Sequence, residues 1–267
     1  MAFTQETEGV PIIEEHGRIG RITFNRPSVR NRIHPEDIDV VVGALRKFEE
    51  GGNIRVVIIS GRGKVFCSGF DLNTLKQDVL GQANEAQPTH RVSSFARLPD
   101  AIERCSLPTI LEANGSIYGG GTDIALACDF RFGVEGLEAL LPASRLGVHL
   151  YETGLVRFIS QIGLSATKRM CLAAEALTAE ELLACGFFDA VLPIDEMRTR
   201  VDQLANSLCE RAPLSVQGMK RTLYEITKGE LDTSKPSEAY LRCLTSEDLR
   251  EGVSAWFEKR KAEFRGR

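Results

Sequence analysis

Two short glycine-containing segments combine residue types and spacing that suit chemistry, 66–72 (FCSGFDL) and 119–123 (GGGTD). Each follows a predicted buried strand, and the second lies where a helix is expected to begin. Glycine lets backbone N–H groups approach a ligand closely, and the helix dipole favours negative charge there. Two N–H groups from separate loops suit an oxyanion hole, which stabilises a developing enolate or tetrahedral oxygen. Two tight strand–helix turns, with glycines that serve geometry alone, fit the same spacing.

Other reactive side chains are weaker candidates. Cys67 lies beside the first turn, but the sequence identifies no histidine partner that would activate a thiolate, which favours a packing role. His16, His34 and His90 are isolated and lack the spacing of metal ligands. The segment 61–64 (GRGK) lacks the upstream glycine and the following Ser or Thr of a phosphate-binding loop. The two glycine turns therefore remain the leading candidates for a site.

The elements that position these turns alternate between strand and helix over the first 190 residues. Apolar or alternating runs predict strands at 17–25, 55–60, 108–113 and 129–134. Helices are predicted over 34–50, up to Cys105, and over 122–128. A glycine-bearing loop is expected at 61–69, and the polar residues 76–94 predict a mobile surface segment that helps to shape a pocket. This alternation predicts an α/β fold with crossover connections.

The pattern beyond Pro193 is helical. Residues 195–211, 213–228 and 246–264 have helical patterns, and no convincing strand follows. We therefore expect an α/β core over 1–193 and a helical C-terminal region over 194–267.

The composition argues against several classes of protein. Of the 267 residues, 43% are hydrophobic and 26% charged, which is ordinary for a globular protein and unlike a disordered chain. A formal charge of −4 does not favour a general binder of nucleic acid or membrane surfaces. No apolar run reaches the roughly 20 residues that span a bilayer, and the polar N-terminus does not resemble a secretory signal. Seven scattered cysteines without CxxC spacing indicate reduced thiols, so a cytoplasmic location is expected.

Five stretches of the chain resemble the crotonase superfamily, also called the enoyl-CoA hydratase/isomerase family, in order and spacing. They are 24–27 (FNRP) with Asn31, 66–72, 107–132 (LPTILEANGSIYGGGTDIALACDFRF), 166–193 (ATKRMCLAAEALTAEELLACGFFDAVLP) and 246–264 (SEDLREGVSAWFEKRKAEF). The resemblance covers essentially the whole chain. It implies a spiral of ββα repeats with a C-terminal trimerisation region, in trimers that often pair into hexamers. It also implies an acyl-CoA thioester substrate of the kind found in fatty acid metabolism, with no cofactor beyond the CoA of the substrate.

The same resemblance implies which residues bind the thioester. Its oxygen would lie between the backbone N–H groups of Ser68 and Gly120. Basic residues of the last helix contact CoA phosphates in relatives, which makes Lys259 a candidate, although a solvated helix face fits equally well. The implied CoA-binding residues are Arg30, Phe66, Cys67, Ser68, Asp71, Leu72, Gly119, Gly120 and Lys259.

The carboxylates depart from the pattern of typical hydratases in the family. Those enzymes carry a glutamate directly after the GGGx turn and a second one further along in a Pro-Glu step, where this chain has Asp123 and Ala143. Syn addition of water needs one group to activate water and another to deliver a proton, so ordinary two-glutamate hydration is not expected. Asp123 is the candidate acid/base, unless it only stabilises the first turn of its helix. Hydration, double-bond isomerisation, and hydrolysis of a thioester or C–C bond stay open, as does a catalytically degenerate binding or scaffold protein.

The segment 147–154 (GVHLYETG) offers replacements for the missing group. Relatives usually have a Pro/Gly-rich loop at this position, whereas this chain has an imidazole, a phenol and a carboxylate within four residues. We expect His149, Tyr151 or Glu152 to face Asp123 across the acyl site. Alternatively, Glu152 only caps the following helix while the other two pack or face solvent.

Overall fold

The computed structural model describes residues 8–72 and 89–267, with only the backbone of 89–94. Apolar runs within the first 193 residues form a six-stranded sheet. In spatial order its strands are β1 (Ile12–His16), β2 (Ile19–Phe24), β3 (Val56–Gly61), β5 (Thr109–Ala113), β7 (Phe130–Val134) and β10 (Ala190–Leu192). β1 and β2 form an antiparallel hairpin, and the other neighbours are parallel. β3 and β5 are buried along almost their whole length, which confirms the prediction from their continuous apolar residues.

Short strands form a second sheet of four. In spatial order they are β4 (Val65–Cys67), β6 (Ser116–Tyr118), β8 (Glu138–Leu140) and β9 (Leu177–Thr178). β4, β6 and β8 are parallel, and β9 is antiparallel to β8. Three times the chain passes from a strand of the large sheet to one of the small sheet before it enters a helix. Because β4, β6 and β8 are parallel, the loops that follow them meet at one edge of the small sheet.

Among the described residues up to position 193, the chain forms five α-helices. They are α1 (Pro35–Gly51), α2 (Thr89–Arg104), α3 (Gly121–Leu126), α4 (Glu152–Cys171) and α5 (Ala179–Ala184). α1 begins after His34, whose backbone N–H donates to the Asp37 carboxylate at 2.8 Å and so closes the first turn. α4 is kinked at Gly163, which has a φ of 71°.

The remaining residues form helices, as predicted. They are α6 (Ile194–Cys209), α7 (Pro213–Lys228), α8 (Glu238–Leu244) and α9 (Glu247–Glu258). α6 packs Met197, Val201 and Ala205 against Val56, Ile58 and other residues of the large sheet. The first helix of the predicted C-terminal region is thus part of the packing of the core. None of the helices in the described part of the chain is long and apolar enough to cross a membrane.

Several elements and boundaries differ from the predictions. β1 was not predicted, and β4 lies inside the predicted loop 61–69, because a three-residue strand is defined by its pairing with β6 rather than by periodicity. α8 was not predicted, and the last helix ends at Glu258 because Lys259 has a left-handed φ of 54°. Of the predicted mobile segment 76–94, residues 76–88 lie outside the described residues, whereas 89–94 belong to α2.

Candidate active site

The loops that follow β4, β6 and β8 line a cavity of about 190 Å³ at the edge of the small sheet. The first loop contributes Ser68 and Phe70, and the second contributes Gly119, Gly120 and Asp123. The third loop, 141–151, closes the other side. Strand order therefore brings together segments that are far apart in the sequence.

The two glycine turns lie in direct contact at this cavity. A Cβ atom added to Gly69 would stand 2.5 Å from the backbone nitrogen of Gly120, and Gly69 has a φ of +82°. Gly119 also has a positive φ, of +54°, and its Cα faces the carbonyl oxygen of Ser68. Only glycine fits this close approach of two backbones. The glycines thus set the distance between the backbone N–H groups of one turn and those of the other.

Several N–H groups at this contact are free to bind a ligand. Those of Ser68, Phe70 and Gly120 form no hydrogen bond with the described residues, whereas the N–H of Gly69 donates to the Cys67 sulfur at 3.2 Å. Gly120 is the N-cap of α3, so its N–H has no helical acceptor. The arrangement can hold an oxygen that acquires negative charge.

Asp123 follows Gly120 by three residues, and it lines the cavity from the first turn of α3. Its exposed fraction is only 3%. Oδ1 accepts a hydrogen bond from Nη1 of Arg157 at 2.6 Å, and Oδ2 accepts one from the Tyr151 hydroxyl. Both oxygens are therefore oriented by a donor.

Tyr151 brings its hydroxyl to Asp123 from the position just before α4. Its side chain lines the cavity. A Cβ atom added to Gly154 would stand 3.0 Å from the tyrosine ring and 3.4 Å from Oδ2 of Asp123. The glycine therefore leaves room for the phenol to reach the carboxylate.

Arg157 lies behind Asp123, and its side chain has no solvent exposure. Nε donates to Oε1 of Glu103 at 3.0 Å, and Nη2 donates to Oδ1 of Asp100 at 2.8 Å. A buried guanidinium is tolerated because each nitrogen has a carboxylate partner. Asp123 is thus one of three carboxylates that share one cation.

Burial dominates the titration of this cluster. It raises the pKa of Asp123 above its ordinary value, while the charge of Arg157 and the hydrogen bonds from Tyr151 and Arg157 act in the opposite direction. Burial and the neighbouring carboxylate also raise the pKa of Tyr151, which keeps it a neutral phenol. The pair can therefore hold and pass a proton beside the cavity.

The opposite wall of the cavity is apolar. Ala143 occupies it, the residue at which the sequence resemblance implied a missing second glutamate. The neighbouring lining residues are Leu141, Pro142, Leu146, Val148 and Leu150. The described residues of this wall therefore supply no carboxylate.

The three predicted replacements have different positions. Tyr151 contacts Asp123. His149 lines the cavity but is exposed to solvent, and its Nδ1 lies beside the carbonyl oxygen of Leu150. Glu152 is exposed in the first turn of α4 and does not line the cavity. The structure therefore brings one of the three into contact with the carboxylate.

The other predicted site residues divide between the cavity and the core. Leu72 and Gly119 line the cavity. Phe66 is fully buried against Phe24, and burial raises the pKa of Cys67 to about 12, which makes its thiol unreactive. The packing role predicted for Cys67 agrees with this.

The predicted charged CoA contacts do not line the cavity. Asp71 is buried and pairs with Arg32 at 3.1 Å. Arg30 is exposed and has a positive φ at the end of a 3₁₀ turn. Lys259 is exposed and has a positive φ at the end of α9. Among the described residues, no cluster of side chains is suited to hold a metal ion.

Two features of the site were missed. The Phe70 N–H was overlooked because nothing in a sequence shows which amides of a loop stay unbonded. Arg157 had a readable signal: it shares a helix face with the buried residues Gly154, Phe158 and Ile162, and an arginine on such an apolar face needs a buried partner.

Comparison with known proteins agrees with the fold. The family model described as "Enoyl-CoA hydratase/isomerase" matches residues 14–267. The chain is 30% identical to the 2,3-dehydroadipyl-CoA hydratase of Escherichia coli, over 96% of this chain and 98% of that protein. It is 31% identical to a carnitinyl-CoA dehydratase of Salmonella arizonae, over 95% and 97% respectively. A crystal structure of an enoyl-CoA hydratase/carnithine racemase from Magnetospirillum magneticum matches with a TM-score of 0.86 and 26% identity, covering 98% of this chain and 97% of that one. The chain therefore belongs to the enoyl-CoA hydratase/isomerase family and is an enzyme of that type.

Proposed function

We propose that the chain binds an acyl-CoA thioester and stabilises its enolate between the backbone N–H groups of Ser68 and Gly120. The observation that carries this proposal is the contact of the two glycine turns beside the Asp123–Tyr151 pair. An α-carbon beside a thioester becomes acidic when its enolate oxygen is held by fixed donors in a dry site. The N–H of Phe70, in the same loop, also forms no hydrogen bond with the described residues. Replacing residue 68 or 70 by the matching α-hydroxy acid removes one N–H and identifies the donor.

The proton moves through the Asp123–Tyr151 pair. The Tyr151 hydroxyl accepts the proton of the substrate carbon while its own proton passes to Oδ2 of Asp123, and the reverse transfer returns a proton to carbon. Burial favours this route because it disfavours a free phenolate and holds both groups in hydrogen-bond contact.

Double-bond isomerisation is the reaction that this arrangement supports best. Isomerisation removes a proton from one carbon and returns one to another, so a single acid/base pair suffices. Hydration needs a further group for water, and Ala143 supplies none. The apolar wall therefore favours isomerisation of an enoyl-CoA.

Hydration or its reverse is the second candidate. Two observations favour it: His149 lines the cavity and can serve as the water-activating group, and the relatives in the comparison are named as a hydratase and a dehydratase. In this case Asp123 and Tyr151 deliver the proton while the imidazole activates water.

A turnover assay separates these reactions. Purified protein is given crotonyl-CoA, longer 2-enoyl-CoAs and 3-enoyl-CoAs, and the conjugated-enoyl absorbance is followed. We expect 3-enoyl-CoAs to gain absorbance and Asp123→Asn to lose this activity. Unchanged turnover in Asp123→Asn would contradict the acid/base role. Loss of absorbance with 2-enoyl-CoAs, abolished in His149→Gln, would indicate hydration.

Two other outcomes identify the remaining alternatives. Release of free CoA thiol without a change in the double bond would indicate thioester hydrolysis. Absence of thioester binding in calorimetry by the folded protein would indicate a degenerate scaffold.

The proposed assembly is a homotrimer or a dimer of trimers, with the C-terminal helices at the contact. Large apolar side chains of α7 and α9 are exposed, including Leu223, Trp256 and Phe257, of which Trp256 is 82% exposed. Exposed apolar area of this kind is typical of subunit contacts. Sedimentation tests the assembly: a monomer at micromolar concentration would contradict it.

Within the family fold, Lys259 and Arg30 are the proposed phosphate contacts. The proposed location is the cytoplasm, and no cofactor is proposed beyond the CoA of the substrate.

A further inference from the structure

A row of buried charges connects the active-site carboxylate to a distant helix. Arg157 donates to Asp123 on one side and to Glu103 on the other. The second oxygen of Glu103 accepts a hydrogen bond from Nζ of Lys228 at 2.6 Å. Lys228 is the last residue of α7, and its side chain is 21% exposed. The row therefore leads from the cavity, through α4 and α2, to the end of α7.

The geometry of this row restricts Asp123 more than a single ion pair does. A guanidinium is a rigid fork, so its contacts with Glu103 and Asp100 fix the direction in which Nη1 points at Asp123. Glu103 is 6% exposed at its side chain and is held from the other side by Lys228. A shift of Glu103 must therefore reorient the guanidinium of Arg157, and the carboxylate of Asp123 must move with that guanidinium.

The charge balance points the same way. The row contains two cations, Arg157 and Lys228, and three carboxylates, those of Asp100, Glu103 and Asp123. Losing one cation leaves three carboxylates against a single positive charge in a site with little water. The carboxylate with the smallest access to solvent then favours the protonated form.

We propose that Arg157 is a positioning residue for Asp123, and that Lys228 acts on the same carboxylate through Glu103. The proposal rests on the proposed function, since it assigns to α7 a part in setting the acid/base group. It extends that function because neither Arg157 nor Lys228 lines the cavity. Neither residue is expected to contact the substrate.

The titration of Asp123 tests this without any substrate. The protein is labelled with carbon-13 at the aspartate carboxyls, and the Asp123 signal is assigned by its loss in Asp123→Asn. The groups that face Asp123 from the packed elements are Asp100 and Glu103 of α2, Arg157 and Cys171 of α4, and Tyr151 before α4. All of these residues are retained in a Lys228→Met variant.

Matched variants of α7 separate positioning from loss of stability. Lys228→Met removes the cation at the end of the row, and Lys228→Arg restores one. Lys220→Met removes another buried cation of the same helix, which pairs with Asp129 at 2.6 Å and does not belong to the row. Arg221→Met removes an exposed cation paired with Glu225 on the same helix.

We expect the pH midpoint of the Asp123 signal to rise in Lys228→Met, to rise further in Arg157→Met, and to return towards the wild-type value in Lys228→Arg. Lys220→Met and Arg221→Met should leave it unchanged. Where a substrate is turned over, Lys228→Met should move the acidic limb of the kcat profile to higher pH and lower kcat at neutral pH about two- to tenfold, with KM unchanged.

Equal midpoints in Lys228→Met and Lys220→Met would overturn the proposal. If Arg157→Met does not fold, Lys228→Met and Lys228→Arg still decide it. A moved midpoint in a protein that turns over no thioester leaves the positioning intact and contradicts the proposed function. Turnover that needs Asp123, together with an unmoved midpoint in Lys228→Met, supports the proposed function and contradicts the role of Lys228.

Discussion

The two walls of the cavity differ in how they are built. On one wall Asp123 and Tyr151 face the cavity, and the buried charges of Arg157 and Glu103 stand behind them. The other wall presents Ala143 among aliphatic side chains. Among the described residues, the ion pair that reaches a cavity-lining side chain thus stands behind this one wall. The difference supports the proposal that proton transfer takes place at the wall of α3 and α4, while the other wall shapes the acyl site.

Removal of the central cation should have the largest effect. Arg157→Met leaves the buried carboxylates of Glu103 and Asp123 and the half-buried one of Asp100 without their shared partner, so we expect the free energy of unfolding to fall by about 3–5 kcal/mol in chemical denaturation. Arg169→Met is the control on the same helix, because Arg169 pairs with two half-exposed glutamates, and its loss should cost far less stability than the loss of Arg157. Equal losses in the two variants would mean that the polar wall gains nothing from its buried cation.

Separation of the two glycine turns should have the next largest effect. Gly69→Ala places a methyl group against the nitrogen of Gly120, so we expect kcat to fall by about 10²- to 10³-fold. Gly136→Ala is the control, since Gly136 also has a positive φ of +74° but no atom within 4 Å of the added Cβ. Activity retained in Gly69→Ala would show that the spacing of the two turns is not required.

A carboxylate on the apolar wall would remove the difference between the two walls. Ala143→Glu should raise the hydration of crotonyl-CoA by about tenfold or more, because it supplies a second acid/base group. Burial of the new carboxylate should lower the free energy of unfolding by about 1–3 kcal/mol. Ala143→Gln has the same size without the charge, and an equal rise in hydration with glutamine would contradict the explanation.

The smallest effect is expected at the edge of the polar wall. Glu152 is exposed in the first turn of α4, so Glu152→Gln should change the free energy of unfolding by less than about 1 kcal/mol and kcat by less than about twofold. A tenfold loss of kcat, with the fold intact in circular dichroism, would show that Glu152 takes part in the reaction.

Much of the scaffold was predictable from the sequence. The β-branched run of β3 and the proline-led start of α1 have strong local signals, and the structure has both within a residue of the predicted bounds. β4 has no such signal, because its three residues form a strand only by pairing with β6. The glycine turns were identified as site candidates, whereas their contact depends on the parallel order of β4 and β6.

The candidate site was predictable only in part. Asp123 follows directly from the GGGT turn, and Tyr151 was one of three neighbouring candidates that spacing alone did not separate. The start of α4 decides among them, because it turns Glu152 to solvent and leaves the phenol beside Gly154. The partners of Arg157 come from two other helices, α2 and α3, and no local pattern of residues specifies such a tertiary cluster.

The exchange of α-hydrogens in a saturated acyl-CoA tests the central claim most directly. Butyryl-CoA is incubated with the protein in deuterium oxide, and deuterium at the α-carbon is measured by mass spectrometry. Proton transfer from an enolate-stabilising site predicts exchange by the wild type, strongly reduced exchange by Tyr151→Phe and none by Asp123→Asn. Equal exchange by Asp123→Asn and the wild type, or no exchange by wild-type protein that binds the thioester, would contradict it.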